Sequence, residues 1–298
     1  MDVGVGLFVF TNGIVAYEIN KRPQPLLKSV MSTVPLWALG SARFFITKEI
    51  DYQMHISEYG LHWNFFITLA VTKILCSCIL LCINADHSLI ISIFVLTLHE
   101  ILLQSGLSAW VLSDIPRDTF ISANREGIVS SLGYVGLYFL SVHIGQTVAR
   151  TKNKPEFDDE LCVSLSCTAV ILLCAVFALE PYFGVSRRLA NAGYCLWIMF
   201  IGVFMSFLFL CGELISRHLY GATNQTHRVY VPFIYEAVNY NGLACFLLAN
   251  VLTGLVNITI QTLTVGPLFS VVIILVYMSV TCIVISTLYV NNIKLKLW

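Results

Sequence analysis

The sequence contains little charge. Only 11% of its 298 residues are Asp, Glu, Lys or Arg, whereas soluble domains carry about 25%. Hydrophobic residues make up 57% of the chain, and the mean hydropathy is +0.81. A water-soluble fold cannot hide so much apolar surface. The composition therefore excludes an ordinary soluble domain and predicts an integral membrane protein.

An excess of charge of either sign is also lacking, because 17 Lys and Arg balance 17 Asp and Glu. Proteins that bind nucleic acid usually carry a basic patch or stripe, so we expect no nucleic-acid partner. Nearly all of the ten cysteines lie in apolar runs rather than at the spacing of zinc ligands, and there they pack as small hydrophobic residues. We therefore expect no metal site and no cofactor.

Long apolar runs, in contrast, are abundant. About twenty apolar residues cross a bilayer as a helix, so we predict an all-α, polytopic transmembrane helix bundle of about nine spans, forming one membrane-embedded domain over residues 1–298. Lys and Arg are enriched in the alternate loops that lie on the same side as the C-terminus, which the positive-inside rule places in the cytosol. The predicted spans are 3–18, 26–46, 61–84, 87–104, 127–149, 161–180, 190–215, 242–260 and 265–290.

The richest polar stretch, residues 51–66, leads into the third predicted span. If it is helical, His55, Glu58 and His62 lie on one face, since they are three and four residues apart. A histidine beside a carboxylate can act as a general base, so these three are the candidate catalytic residues. The alternative is an interfacial belt, because Tyr, Trp and His favour the headgroup zone.

Polar residues near other span ends are candidates for substrate binding. An arginine fork suits phosphate or carboxylate, and paired arginines at a span end can bind lipid phosphate. Structural roles stay open for the same residues, namely helix capping, flanking of a span and hydrogen bonding between helices. The candidate substrate-binding residues are Asn64, Asn124, Arg125, Arg187, Arg188 and Asn241.

Ionisable residues inside the spans support an alternative function. Lys73, His99, Glu100 and His143 lie within apolar runs, and such residues often mark transport pathways. A transporter or lipid flippase could use them as a relay, although such proteins usually show repeat symmetry, which we do not detect. A membrane-bound O-acyltransferase of another family, with His143 as its base, is a further alternative.

The polar stretches together resemble one family, the GPI-anchor inositol acyltransferases, which comprise the phosphatidylinositol-glycan biosynthesis class W proteins and fungal GPI-anchored wall transfer proteins. The matching segments follow the order of the family and extend over nearly the whole chain. They are residues 1–6 (MDVGVG), 52–66, 122–127, 187–197 and 241–257.

The resemblance implies a function in the membrane of the endoplasmic reticulum. Family members move a fatty acyl group, usually palmitoyl, from acyl-CoA to the inositol ring of glucosaminyl-phosphatidylinositol, so the implied partners are these two substrates and membrane lipids. The family also has an N-terminal portion of about four further spans, with an Asp and a Lys regarded as its catalytic pair. We therefore expect this chain to be a C-terminal portion that is inactive alone.

Overall fold

The fold is entirely helical in the part of the chain that the structure, a computed structural model, describes: residues 2–16, 25–49, 57–151, 157–221, 231–260 and 264–295. The structure is 83% helical and has no strand among these residues, which confirms the predicted all-α class. The described α-helices are α1 (Asp2–Ile14), α2 (Leu26–Met31), α3 (Val34–Glu49), α4 (Phe65–Cys82), α5 (Ser88–Leu102), α6 (Ser108–Leu112), α7 (Phe120–Ala123), α8 (Arg125–Thr151), α9 (Phe157–Phe183), α10 (Ala192–Gly221), α11 (Phe233–Tyr240), α12 (Gly242–Thr259) and α13 (Pro267–Val290).

Seven helices in the described ranges are long and apolar enough to cross a membrane. The predicted count of about nine is not confirmed, because α1 has 13 residues and the second predicted span is divided between α2 and α3. Pro35 lies at the start of α3, where its missing N–H is tolerated. The seven are Phe65–Cys82, Ala85–Leu112, Arg125–Thr151, Asp158–Phe183, Ala192–His218, Gly242–Thr259 and Pro267–Val290.

Local signals fix several helix ends. Asn64 caps α4, and its side-chain oxygen accepts hydrogen bonds from the N–H groups of Phe66 (3.1 Å) and Ile67 (3.3 Å). Such a cap satisfies donors that have no partner within the helix. After α9, Gly184 has φ +64° and donates to the carbonyl of Glu180 at 2.8 Å. Glycine adopts this left-handed conformation without a steric cost, so it ends the helix.

The chain divides into two compact units, Met1–Leu214 and Ile215–Trp298. In the first unit, α8 is the central helix and packs against α5, α1 and α4. In the second unit, α11, α12 and α13 pack against one another. A single membrane domain therefore stays a prediction, and each unit is described by itself below.

Small residues on α8 allow other segments to approach its backbone. A Cβ atom added to Gly133 would collide with the carbonyl oxygen of Ala190, and one added to Gly136 would lie 2.6 Å from Leu96 on α5. Close packing at small residues is typical of membrane helices. It holds the loop before α10 against the first half of α8, next to the polar residues at the beginning of that helix.

A π-helical turn, Leu103–Leu107, joins α5 to α6. Gly106 within it has φ +113°, a conformation that glycine adopts readily. The predicted fourth span, 87–104, therefore continues to Leu112 as one interrupted apolar helix. Such turns inside α-helices are frequent at functional sites. Here α6 leads into the loop that precedes α7 and α8.

Candidate functional site at one end of the first unit

Three polar segments from distant parts of the sequence meet at one end of the first unit. The first precedes α4, the second joins α6 to α8, and the third joins α9 to α10. Hydrogen bonds and ion pairs connect them, as described below. We call this region the polar end. It consists of residues 57–64, 113–126 and 184–191.

Gly60 allows the first two segments to touch. Its φ is +115°, and a Cβ atom at this position would lie 2.6 Å from both the carbonyl oxygen of Ala123 and the Cα of Asn124. On either side of this contact, the Leu61 N–H donates to Ala123 at 2.9 Å and the His62 N–H donates to the Asn124 side chain at 2.8 Å. Only glycine fits this approach without strain.

The candidate catalytic stretch is not helical where the structure describes it. Residues 57–59 form a turn, and residues 60–64 are not helical either, since α4 begins at Phe65. The condition under which Glu58 and His62 would share a helix face is therefore not met, because Gly60 has a left-handed φ and Asn64 begins the helix later. His55 lies outside the described residues. The catalytic role of these three residues stays a prediction.

The side chains of Glu58 and His62 have separate neighbours. Arg187 Nη2 is 3.6 Å from Glu58 Oε2 and donates to the Glu58 carbonyl at 3.4 Å. The exposed imidazole of His62 packs edge-on against Phe44, with ring centroids 5.2 Å apart. Arg187 also lies 5.0 Å above the ring of Tyr59, a cation–π contact. Burial raises the pKa of Tyr59, although Arg187 opposes this effect, so the phenol stays neutral at neutral pH.

Two of the three predicted binding asparagines, Asn64 and Asn124, are buried at the polar end and already hydrogen-bonded within the protein. Asn64 caps α4 with its oxygen, and its amide donates to the carbonyl of Gly40 at 2.8 Å. The amide of Asn124 donates to the carbonyl of Phe120 at 2.9 Å, while its oxygen accepts from His62. Both side chains thus stabilise the polar end, and contact with a substrate stays a prediction.

Glu126 is the buried centre of the polar end. It lies in the first turn of α8 with its side chain 0% exposed. Arg117 binds it through both terminal nitrogens, at 3.0 Å to Oε2 and 2.5 Å to Oε1. Arg188 Nη2 is 3.5 Å and Arg125 Nε is 3.9 Å from Oε1. The hydrogen bonds that Arg117 donates to Glu126 raise the pKa of Arg117. Sequence reasoning did not identify this centre, because Glu126 and Arg188 are 62 positions apart in the chain.

Arg125 faces the interior rather than solvent. Its side chain is 2% exposed. Its Nε donates to the carbonyl of Val111 at 3.2 Å, its Nη1 to that of Ile115 at 3.1 Å, and its Nη2 to that of Ser113. The guanidinium therefore holds the loop after α6. Phosphate binding by this residue stays a prediction.

Two ionisable residues of α5 hold the third segment from inside the bundle. His99 Nε2 is hydrogen-bonded to the carbonyl oxygen of Leu189 at 2.8 Å. Glu100 accepts from the N–H of Ala192, at the start of α10, at 3.1 Å, and from Gln104 at 2.9 Å. Both side chains are buried. These contacts support the loop that carries the paired arginines.

The remaining candidates are not part of the polar end. Lys73 is exposed on α4, and His143 is half-buried on α8. Asn241 belongs to the second unit, where it donates to the carbonyl of Ile293 and accepts from the N–H of Leu295, both at 2.9 Å. Asn241 therefore connects the start of α12 to the segment that follows α13.

The sequence matches the GWT1 family over residues 1–288. The chain belongs to this family. It is 34% identical to GPI-anchored wall transfer protein 1 of Saccharomyces cerevisiae and to the protein of the same name from Schizosaccharomyces pombe. It is 30% identical to the glucosaminyl-phosphatidylinositol-acyltransferase PIGW of Homo sapiens.

Each of these matches covers 100% of this chain. They cover 67% of the S. cerevisiae protein, 65% of the S. pombe protein and 67% of the human protein. The chain therefore spans about two thirds of the length of these GWT1-family relatives. The family resemblance inferred from the polar stretches is confirmed.

Proposed function

We propose that this chain takes part in transferring a fatty acyl group to the inositol ring of glucosaminyl-phosphatidylinositol during GPI-anchor biosynthesis. One observation carries the proposal: the whole chain matches relatives named glucosaminyl-phosphatidylinositol-acyltransferase. The fold is compatible with it, since a lipid acceptor needs apolar helices for its chains and polar groups for its headgroup. The acyl donor in this proposal is acyl-CoA, with palmitoyl as the transferred group.

Acyl transfer to a hydroxyl group needs a base, donors for the tetrahedral oxyanion, and alignment of both substrates. His62 offers an exposed imidazole at the polar end, and Glu58 offers a partly exposed carboxylate. These two groups and His55 are the three candidates for the base that accepts the hydroxyl proton. Because the chain spans about two thirds of its relatives, we assign the complete reaction to the full-length family protein.

We also propose that the protein lies in the membrane of the endoplasmic reticulum with a cytosolic C-terminus. The support is the distribution of Lys and Arg, which is richer in the loops on the C-terminal side. By the same count, the polar end faces the lumen. The acceptor lipid would then meet the polar end from the luminal leaflet.

A chimeric protein tests the proposed function. This chain replaces the matching two thirds of the S. cerevisiae relative, and inositol acylation is assayed in cells that lack the native enzyme. We expect the chimera to restore acylation and the isolated chain not to do so. A chimera that reaches the membrane but leaves inositol unacylated would contradict the proposal.

The same chimera tests the catalytic candidate. We expect His62→Ala to lower acylation by a factor of about 100 or more, the usual contribution of a general base. The matched control is His87→Ala, an exposed histidine outside the polar end, which should leave acylation unchanged. Full activity of His62→Ala would remove the catalytic role while leaving the proposed function intact.

A further inference from the structure

The arginines of the polar end differ in how many of their donors are used within the protein. Arg125 is buried and bonds to three carbonyls. Arg117 binds both oxygens of Glu126 and also donates to the carbonyl of Ala123 at 3.1 Å. Arg187 contacts Glu58 and lies over an aromatic ring. These three guanidinium groups therefore have protein partners that fix their positions.

Arg188 is different. Its side chain is 38% exposed, and its contact with Glu126 is long, at 3.5 Å, to an oxygen that already accepts from Arg117 at 2.5 Å. Its Nε atom is buried and has no hydrogen-bond partner among the described residues. Buried polar atoms of this kind are rare in folded proteins. Arg188 thus keeps a partly exposed guanidinium group, and its terminal Nη1 makes no hydrogen bond to the described residues.

Among the described acidic residues, Glu126 is the one that pairs with Arg188. Glu126 contacts Nη2 of Arg188 and is shared with Arg117. Asp114 and Asp118 belong to the same polar end but are exposed. A guanidinium of this kind suits phosphate, because two parallel N–H groups can bind two phosphate oxygens. The Glu126 carboxylate restrains the side chain through Nη2, and Nη1 makes no hydrogen bond to the described residues.

We propose that Arg188 binds the phosphodiester of a phosphatidylinositol headgroup and that Glu126 is the residue that positions it. This inference rests on the proposed function, since the acceptor named there is a phosphatidylinositol lipid. Phosphate oxygens would take up donors of Arg188 that the described residues leave unused. Glu126 does not touch the lipid and acts through Arg188.

Direct binding to the purified full chain in detergent micelles tests the role of Arg188. The probes are dioctanoyl-phosphatidylinositol, dioctanoylglycerol and inorganic phosphate, and binding is followed by tryptophan fluorescence. We expect Arg188→Ala to weaken binding of the phosphatidylinositol probe by about tenfold or more, the effect of losing a charge-assisted hydrogen bond. Arg188→Lys should lose less affinity for the phosphatidylinositol probe than Arg188→Ala does. The affinity for dioctanoylglycerol should not change in either variant.

The matched control is Arg150→Ala, an exposed arginine near the other end of α8, which should bind the probe like the wild type. Unchanged affinity in Arg188→Ala, or an equal loss in Arg150→Ala, would overturn the site. Inorganic phosphate that binds as tightly as the lipid, with the same dependence on Arg188, would overturn the assignment to a lipid headgroup.

A double-variant comparison tests the positioning role of Glu126. Glu126→Gln should weaken binding of the phosphatidylinositol probe in the wild-type background but cause no further loss in the Arg188→Ala background. Glu126→Asp, which keeps the carboxylate, should recover part of the affinity and serves the same comparison if Glu126→Gln does not fold. Additive losses would show that Glu126 does not act through Arg188.

The binding assay needs no acyl transfer, so its outcome is separate from that of the proposed function. An inactive chimera whose lipid binding still depends on Arg188 would remove the acyltransferase proposal and keep this inference. An active chimera in which Arg188→Ala changes neither lipid binding nor acylation would keep the acyltransferase proposal and remove this inference.

Discussion

The two compact units place their polar side chains differently. In Met1–Leu214, 67% of the most apolar 18-residue stretch of the central helix α8 is buried. The carboxylate of Glu126, at the start of this helix, is also buried. In Ile215–Trp298, the same measure is 0% for α12 and 11% for α13. The carboxylate of Glu236 in the second unit is exposed and accepts from the Tyr289 hydroxyl at 2.9 Å.

The polar side chains within α12 and those of the polar end have different partners. On α12, Asn250 and Thr253 donate to carbonyls four residues earlier in their own helix, at 2.7 and 2.9 Å. In the first unit, Asn64 and Asn124 reach other segments. Lipid solvates apolar helix faces, so sparse burial is acceptable in a membrane helix. A polar site requires side chains that connect separate elements, and the polar end of the first unit meets that requirement.

The largest expected difference between the units concerns their carboxylates. Glu126→Ala removes a fully buried carboxylate and leaves the partly exposed Arg117 without its counter-charge. Breaking such a largely buried pair costs about 3 kcal/mol. Glu236→Ala removes an exposed acceptor and should leave stability unchanged. Thermal unfolding of the chain in detergent measures both. Similar melting temperatures for the two variants would show that the polar end is not a stabilising network.

Glycine substitutions should give a smaller difference. Gly60→Ala introduces a side chain at φ +115° and 2.6 Å from Ala123, which costs about 1–3 kcal/mol for the strained backbone. Gly254→Ala on α12 places its Cβ where no atom lies within 4 Å, so it should not destabilise the protein. The same unfolding assay applies. A stable Gly60→Ala variant would contradict the close approach of the first two polar segments.

The smallest expected difference concerns two asparagines. Asn64→Ala removes the cap of α4, at a cost of about 1 kcal/mol. Asn250→Ala removes only a bond to its own helix and should have no measurable effect. Circular dichroism during thermal unfolding compares the two variants. An effect as large for Asn250 as for Asn64 would mean that the second unit also depends on its polar side chains.

Much of the architecture could be predicted from apolar runs alone, because a membrane helix needs only length and hydropathy. The runs around α4 and α8 to α10 correspond to helices of the structure. The cap at Asn64 was also detectable, since an asparagine stands directly before an apolar run. The broken region between α2 and α3 was not anticipated, although Pro35 indicates it.

The chemistry of the polar end was much less predictable. From sequence, Arg125 and Arg188 are both arginines near span ends, and nothing local indicates that one is buried and the other exposed. Their difference depends on contacts with residues far along the chain. Glu58 and His62 lack helical spacing for a similar reason. Gly60, which lies between them, has a left-handed φ and contacts a loop more than sixty positions away.

The π-helical turn at Gly106 has a consequence for charge balance. It leads into α6, and the carbonyls at the end of that helix are those that Arg125 contacts. The C-terminal end of a helix carries a partial negative charge of about half a unit from its aligned peptide dipoles. This helix end therefore shares the compensation of Arg125 with Glu126, so that Glu126 can also serve Arg117 and Arg188.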